Sequence, residues 1–307
     1  FTGGSYEDSE YIWMKDYLQL DGLVYKLVPI KTSIDANPYE MGRIDSDLMY
    51  NIVKEWSWGN SNSNKIYHDP ETRKNSISFR SNLSRLSEVL IDEDKYEQAE
   101  EIIDLAFSKM PIDYYGYYSL WTPFVKGYYE INRDDKAQEI VKKLSFKYSD
   151  RLNYYSSLEI FNQYNVGEEI ISDIERFRNL IETIKASGEK DILSEQIKSF
   201  ISGSEKFNYI YGEYDFYISL SDFIISLVEL NQLEYSRSIL DKIEEQLIRR
   251  VSVFSNIDQD EQVYYIEGIT SDINQYSRLI SQIEIYDVEL HNDYDKNLKE
   301  MLSKMVE

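Results

Sequence analysis

The chain contains no cysteine, so disulfides, thiolate metal sites and cysteine nucleophiles are absent together, and either a reducing or an oxidising compartment is permitted. Glycine (12) and proline (5) are scarce for 307 residues, which leaves little material for loops that cradle phosphate. Accordingly there is no glycine-rich loop ending in Lys-Ser/Thr, no dinucleotide fingerprint and no Gly-x-Ser-x-Gly elbow. Histidine is limited to His68 and His291, neither with a partner at i+4 or a glutamate at motif spacing, which excludes zinc-protease and similar histidine-rich metal sites. Basic side chains are in deficit: 33 Lys and Arg face 56 Asp and Glu, and a net charge of −23 argues against nucleic acid or an anionic membrane face as partner. Long apolar runs are missing too. The strongest, Phe223 to Leu230, is broken by Ser226 and Glu229 and falls far short of the roughly 20 residues of a membrane span. The chain opens at Phe1-Thr2-Gly3-Gly4 without a basic or apolar leader, and reads as a fragment of a longer protein.

What is present is material for a core: 42% apolar and 14% aromatic residues, far more than a disordered acidic segment carries. Three regions are expected. Residues 1–64 form an arm, with a short extended segment over Leu23 to Ile30, a loop from Lys31 to Asp45, a short helix near Asp47 to Glu55, and a turn-rich break at Trp56 to Asn64. Residues 65–158 and 159–307 are helical, with the period near 3.6 dominating from Thr72 onward.

Across these helical regions a single pattern recurs. The first copy reads Leu83-x2-Leu86-Ser87-x2-Leu90, then Ala99-x3-Ile103, then Pro111. The second reads Trp121-x2-Phe124-Val125-x2-Tyr128, then Ala137-x3-Val141; the third reads Leu220-x2-Phe223-Ile224-x2-Leu227, then Ser236-x3-Leu240. In each, the last large residue of the first cluster lies nine positions before the small one. The pattern resembles the tetratricopeptide repeat, in which large residues pack between the two helices of a hairpin and a small residue lets the backbones approach. The glycine slot is filled by Ser87, Val125 and Ile224, so the copies are diverged, and generic amphipathic helix pairs in a bundle are the competing reading. The expected fold is therefore all-α: an α-solenoid of tetratricopeptide-like hairpins with a short extended N-terminal arm and a C-terminal capping helical hairpin. On such hairpins the groove is lined by first-helix positions between the core slots, here Ser84, Glu88, Thr122, Lys126 and Tyr129. The third copy presents Ile218 and Ile225 near the equivalent places, as if covered by the C-terminal hairpin.

Between the second and third copies, Ile170, Ile171, Ile174, Phe177, Ile181 and Ile184 form the stripe of a long helix stopped by Gly188, with a shorter helix expected from Asp191 to Ile201. Near the end, Ile266, Ile269, Ile273, Tyr276, Ile280 and Ile283 make a heptad seam, continued by Tyr294, Leu298, Met301 and Met305. An intramolecular antiparallel hairpin is expected, a coiled-coil dimer being the alternative.

No motif for catalysis, cofactor or metal emerges. Asn256, Asp258, Asp260 and Glu267 have the spacing of a helix-loop-helix calcium loop, but Glu261 stands where that loop needs glycine, so an acidic helix start is the better reading. Paired carboxylates of an α-helical glycosidase cannot be distinguished from a solvated face among so many acids. Tyrosine is the informative excess, at Tyr114-Tyr115-Gly116-Tyr117-Tyr118, Tyr128-Tyr129 and Tyr154-Tyr155. Adjacent helical positions put one of each pair in the core and the other on the rim, where Tyr118 and Tyr129 could grip a peptide or a sugar.

The stretch Tyr11-Ile12-Trp13-Met14-Lys15-Asp16-Tyr17-Leu18-Gln19-Leu20-Asp21-Gly22-Leu23-Val24-Tyr25-Lys26-Leu27-Val28-Pro29-Ile30, with Trp56-Ser57-Trp58-Gly59 and Phe79-Arg80-Ser81-Asn82-Leu83-Ser84-Arg85-Leu86, resembles the tail of a family of bacterial membrane proteins common in Bacteroidetes. The multi-spanning N-terminal region of that family resembles protein O-mannosyltransferases. The likeness runs to about Leu158. It implies a non-catalytic extracytoplasmic, periplasmic domain of a membrane glycosyltransferase-like protein, docking a protein, a peptide or a glycan, with no nucleic acid and no cofactor. It gives no catalytic residue in this chain. A free-standing surface glycan-binding protein and an all-α glycoside hydrolase are the alternatives.

Overall fold

A computed structural model describes residues 14–32 and 41–306, with side chains to Ser303. Residues 1–13 and 33–40 of the arm and the side chain of Met305 lie outside the described residues, as does most of the loop expected from Lys31. The architecture is helical with one small antiparallel hairpin, β1 (Leu18–Asp21) and β2 (Val24–Leu27), where a single extended segment was expected. The helices are α1 (Ser46–Lys54), α2 (Pro70–Asp92), α3 (Tyr96–Lys109), α4 (Ile112–Tyr115), α5 (Thr122–Glu130), α6 (Asp134–Ser156), α7 (Ile160–Asn165), α8 (Gly167–Ser187), α9 (Lys190–Ser204), α10 (Asn208–Tyr211), α11 (Glu213–Ile218), α12 (Ser221–Glu229), α13 (Leu233–Ser255), α14 (Gln259–Ile283) and α15 (Val288–Val306). The chain divides into two compact units, the first comprising residues 1–147 with 182–187, the second 148–181 with 188–307.

The three repeat copies are the hairpins α2–α3, α5–α6 and α12–α13, and their turns have the same geometry. Asp94, Asn132 and Asn231 adopt left-handed backbone with φ of +58°, +57° and +56°. The N–H of Lys95, Arg133 and Gln232 each donates at 2.8 Å to the carbonyl of Leu90, Tyr128 and Leu227. The left-handed residues themselves donate to Ile91, Tyr129 and Val228 at 2.9, 3.0 and 2.9 Å. This is the Schellman closure of a helix C-terminus. It accounts for the nine-residue spacing: Leu90, Tyr128 and Leu227 supply the carbonyl that closes the C-terminal turn of one helix, and Ala99, Ala137 and Ser236 donate at 3.0 Å to residues 95, 133 and 232 at the start of the next. All six residues are buried. A left-handed residue without a short polar side chain costs roughly 1–2 kcal/mol. Asn231→Val is therefore expected to lower stability by about that amount and Asn231→Gly to raise it by a few tenths, measured by urea unfolding.

In the first unit, polar bonds clamp the second hairpin onto α3. The Tyr128 hydroxyl donates to Asp104 at 2.7 Å, and Lys136 bridges Glu100 and Asp104, each at 2.8 Å. The second unit is threaded by an aromatic ladder, Tyr148–Phe177–Phe200–Phe223, with centroids 5.4, 5.5 and 5.4 Å apart. Its buried carboxylate, Asp173 on α8, meets Arg151 Nε at 2.8 Å and Arg176 Nη1 at 3.3 Å and accepts from the Tyr155 hydroxyl at 3.2 Å. Burial raises the Asp173 carboxyl above the ordinary range, against the pull of Arg151. The folded state keeps this proton where the unfolded chain has lost it, so the group's contribution falls as pH rises through that window and is level above it. Asp173→Asn, which is neutral at every pH, is expected to change stability at neutral pH by less than about 1 kcal/mol and to remove this acid-side slope, read from urea unfolding at several pH values.

Gly188 ends α8 at φ +80°, and α9 follows, as the sequence indicated. At the C-terminus α14 and α15 pair with each other and pack on α13, and α12 also packs on α14. The seam closes over only half of its length. Tyr276, Ile280, Ile283, Tyr294, Leu298 and Met301 are buried, whereas Ile269 and Ile273 are half-buried and Ile266 is 51% exposed.

Candidate functional site

The tyrosine cluster at 114–118 forms a strained, braced loop between α4 and α5. Gly116 takes φ +63° and ψ −146°, a conformation closed to residues with a Cβ, and Tyr117 follows at φ +47° and ψ +57°. A left-handed tyrosine is uncommon and persists only where its surroundings enforce it. The enforcing group is Arg80, in the buried stripe of α2 and itself fully buried. Its Nη1 donates to the Gly116 carbonyl at 2.7 Å and lies 3.4 Å from that of Tyr117, while Nη2 donates to Ser76 Oγ at 2.8 Å. The guanidinium lies 5.2 Å from the Trp121 ring centre and 5.8 Å from that of Tyr117. Among its described contacts no carboxylate neutralises it, and burial depresses its pKa to about 10.

The other side of the loop is braced by residues 61–68. The His68 ring stacks on Tyr114 at 5.4 Å and 9° and meets Tyr115 at 4.9 Å. His68 Nε2 lies 3.2 Å from the Ser63 carbonyl, so that nitrogen carries the proton, and the Tyr115 hydroxyl donates to the Ser61 carbonyl at 2.9 Å. Lys147 on α6 ties down Asp113 at 2.6 Å. What the brace presents to solvent is aromatic: Tyr117 is 46% exposed and Tyr67, beside His68, 82%.

Of the residues singled out by the repeat pattern, Tyr118 and Thr122 adjoin this loop and are half-buried, and Lys126 is exposed one turn further along α5, 3.4 Å from Glu130. Glu88 is half-buried on α2, which packs against α5. Ser84 and Tyr129, expected to line the groove, are instead buried. The core-and-rim rule holds for Tyr114-Tyr115 and Tyr154-Tyr155, but Tyr128 and Tyr129 are both buried, because α5 is covered on two sides by α2 and α3. Arg80, His68 and Tyr67 were not singled out by sequence. For Arg80 a signal existed: it stands three residues before Leu83, within the apolar stripe, where an unpaired charge has no place unless it holds something.

The Asn256 to Glu267 stretch is an acidic helix start, with Asp260 and Glu261 in the first turn of α14. Among the described residues no group of three His, Cys, Asp or Glu is arranged to hold a metal ion, and no helix is long and apolar enough to cross a membrane.

The stretches that carry the family resemblance meet at α2. Asn82 Nδ2 donates to the Gly22 carbonyl at the hairpin turn at 2.8 Å, and Arg85 reaches the Gly42 carbonyl at 2.9 Å and the Tyr25 hydroxyl at 3.3 Å. Phe79 packs edge-on to Trp56 at 5.3 Å and against Trp58 at 5.6 Å. Gly22, at φ +69°, sits so close that a Cβ would lie 3.0 Å from the Trp56 ring and 3.1 Å from Ile52 Cγ2. Residues 1–48 match the family described as TMEM260-associated domain 2. That match covers the hairpin and the start of α1, and the helical remainder lies beyond it. No curated protein and no solved structure matches the chain. Because α2 grips the matched segment through Asn82 and Arg85, Gly22→Val is expected to cost about 2–3 kcal/mol in the docking of the hairpin, seen as faster amide exchange over Leu18 to Leu27.

Proposed function

We propose that this chain is a non-catalytic, extracytoplasmic binding domain of a membrane glycosyltransferase-like protein, and that the braced tyrosine loop with the adjoining α5 face holds a protein or peptide partner. The observation that carries the reading is the conformation of Tyr117. An exposed aromatic residue is held at φ +47° by a buried arginine, and such strain is retained where presentation of the side chain matters. Tyrosine offers rigid contact area and a hydroxyl at little entropic cost, which suits a polypeptide surface. The membrane context rests on the match of residues 1–48 to TMEM260-associated domain 2. A domain of this kind feeds a polypeptide to chemistry carried out elsewhere in the protein.

The test uses the full-length protein in membranes supplied with radiolabelled polyprenyl-phosphate mannose. Replacing Tyr67, Tyr117 and Tyr118 together by alanine is expected to reduce label entering endogenous polypeptide by about tenfold or more, at an unchanged level of the membrane protein. Unchanged labelling rejects the loop as the docking surface. Label entering no protein even in the unaltered enzyme rejects the glycosyltransferase context.

A further inference from the structure

The C-terminal end of the second unit carries a second surface, unrelated to the tyrosine loop. From Asp258 to Gly268 every residue except Gln262 is exposed, including Val263, Tyr264 and Ile266. A half-helix that buries so little gains little from its own hydrogen bonds, and its exposed apolar residues call for a partner. In the same unit, α13 and α15 border a groove of about 480 Å³ with Ile248, Val251 and Met301 as its apolar lining and Glu244 and Glu300 among its polar groups.

The charge of this surface selects the occupant. No basic residue occurs between Arg250 and Arg278, while Asp258, Asp260, Glu261 and Glu267 lie along the exposed half-helix. The arginines at the end of α13 are already engaged, Arg250 by Asp272 and Asp215 at 2.8 Å each and Arg249 by Glu245 at 3.2 Å. Inside the groove, the half-buried Glu244 carboxylate accepts from Asn297 Nδ2 at 3.0 Å, and the Tyr276 hydroxyl lies beside it. Burial raises the Glu244 carboxyl above its ordinary range, and a cation pairing with it from the groove offsets that desolvation.

We propose that this end of the second unit docks an amphipathic helix with a basic flank, its apolar face covering Ile248, Val251 and Met301 and one Lys or Arg side chain reaching Glu244. Helix-in-groove binding uses this combination of apolar anchors and rim charge, the charge steering encounter and the anchors holding it.

The probe is a short fluorescein-labelled peptide of Leu and Lys at helical spacing, titrated with the chain and followed by anisotropy, with a Leu/Glu peptide as control. Saturable binding of the Leu/Lys peptide alone is expected, weakened at least about tenfold by Ile248→Asp and about fivefold by Glu244→Gln. Ile248→Asp separates the groove from general attraction to an acidic protein, since it adds negative charge and should tighten non-specific binding. Equal or tighter binding by that variant overturns the proposal, as does no saturable binding. A dimer in sedimentation that Ile248→Asp dissociates makes a second copy the occupant and also overturns it. Thermal melts of both variants within a few degrees of the unaltered chain exclude misfolding as the cause.

Discussion

Arg80→Ala is expected to destabilise the first unit by about 3 kcal/mol. Truncating so large a buried side chain leaves a cavity and orphans the Gly116 carbonyl, terms of roughly 3–5 and 1–3 kcal/mol. Against them stands relief of a desolvated cation, whose pKa burial depresses to about 10, a shift worth roughly 3 kcal/mol. Arg80→Met keeps most of the volume and removes the charge, so its cost should be under about 1 kcal/mol. The two variants nevertheless share one effect. Neither can hold the Gly116 carbonyl, so both should accelerate amide exchange over Tyr117 to Leu120. The pH dependence has a definite sign: above about pH 10 the unfolded chain still binds the proton that the folded state has lost, so stability gains with rising pH there. Arg80→Met should lack that gain. Equal loop exchange in Arg80→Met and the unaltered chain would show that the guanidinium packs without positioning the loop.

Trp121→Ala is the second large effect, at about 4 kcal/mol by urea unfolding. Trp121 is fully buried, stacks on Phe107 at 4.4 Å and 19°, and contacts Phe124 at 5.6 Å, so its removal opens the centre of the second hairpin. Its Nε1 has no hydrogen-bond partner, so Trp121→Phe loses volume alone and should cost only about 1–2 kcal/mol. Because Arg80 lies over the Trp121 ring, the two alanine changes should not add; the double variant should fall short of their sum by about 1 kcal/mol. Additivity would mean that the arginine and the indole do not share one packing unit.

The repeat hairpins were legible in the sequence because their constraint is local. A large residue, a Schellman turn and a small residue fall within ten positions, and the three copies keep that count whatever occupies the glycine slot. Gly188 was legible for the same reason. The tyrosine loop was legible only as composition. Its shape depends on Arg80, thirty-six residues from Gly116, and no local pattern announces that an arginine in an apolar stripe will cap a distant loop. The β-hairpin was half-visible, since Leu23 to Ile30 has strand composition while Leu18 to Asp21 owes its pairing to Leu27 and Arg43. The heptad seam misled for the opposite reason. Its spacing from Ile266 to Ile283 is regular, yet among the described residues Ile266 is left exposed and Ile269 and Ile273 only half-buried, since periodicity reports the apolar face without saying what covers it.

The most direct measurement places a photo-crosslinking residue at position 117 of the full-length protein in its native membrane, with the same residue at Tyr96 on α3 as a control surface. The account predicts a discrete polypeptide adduct at 117, absent at 96 and lost when Arg80→Met is added. No adduct at 117, or the same adducts at both positions, would contradict it.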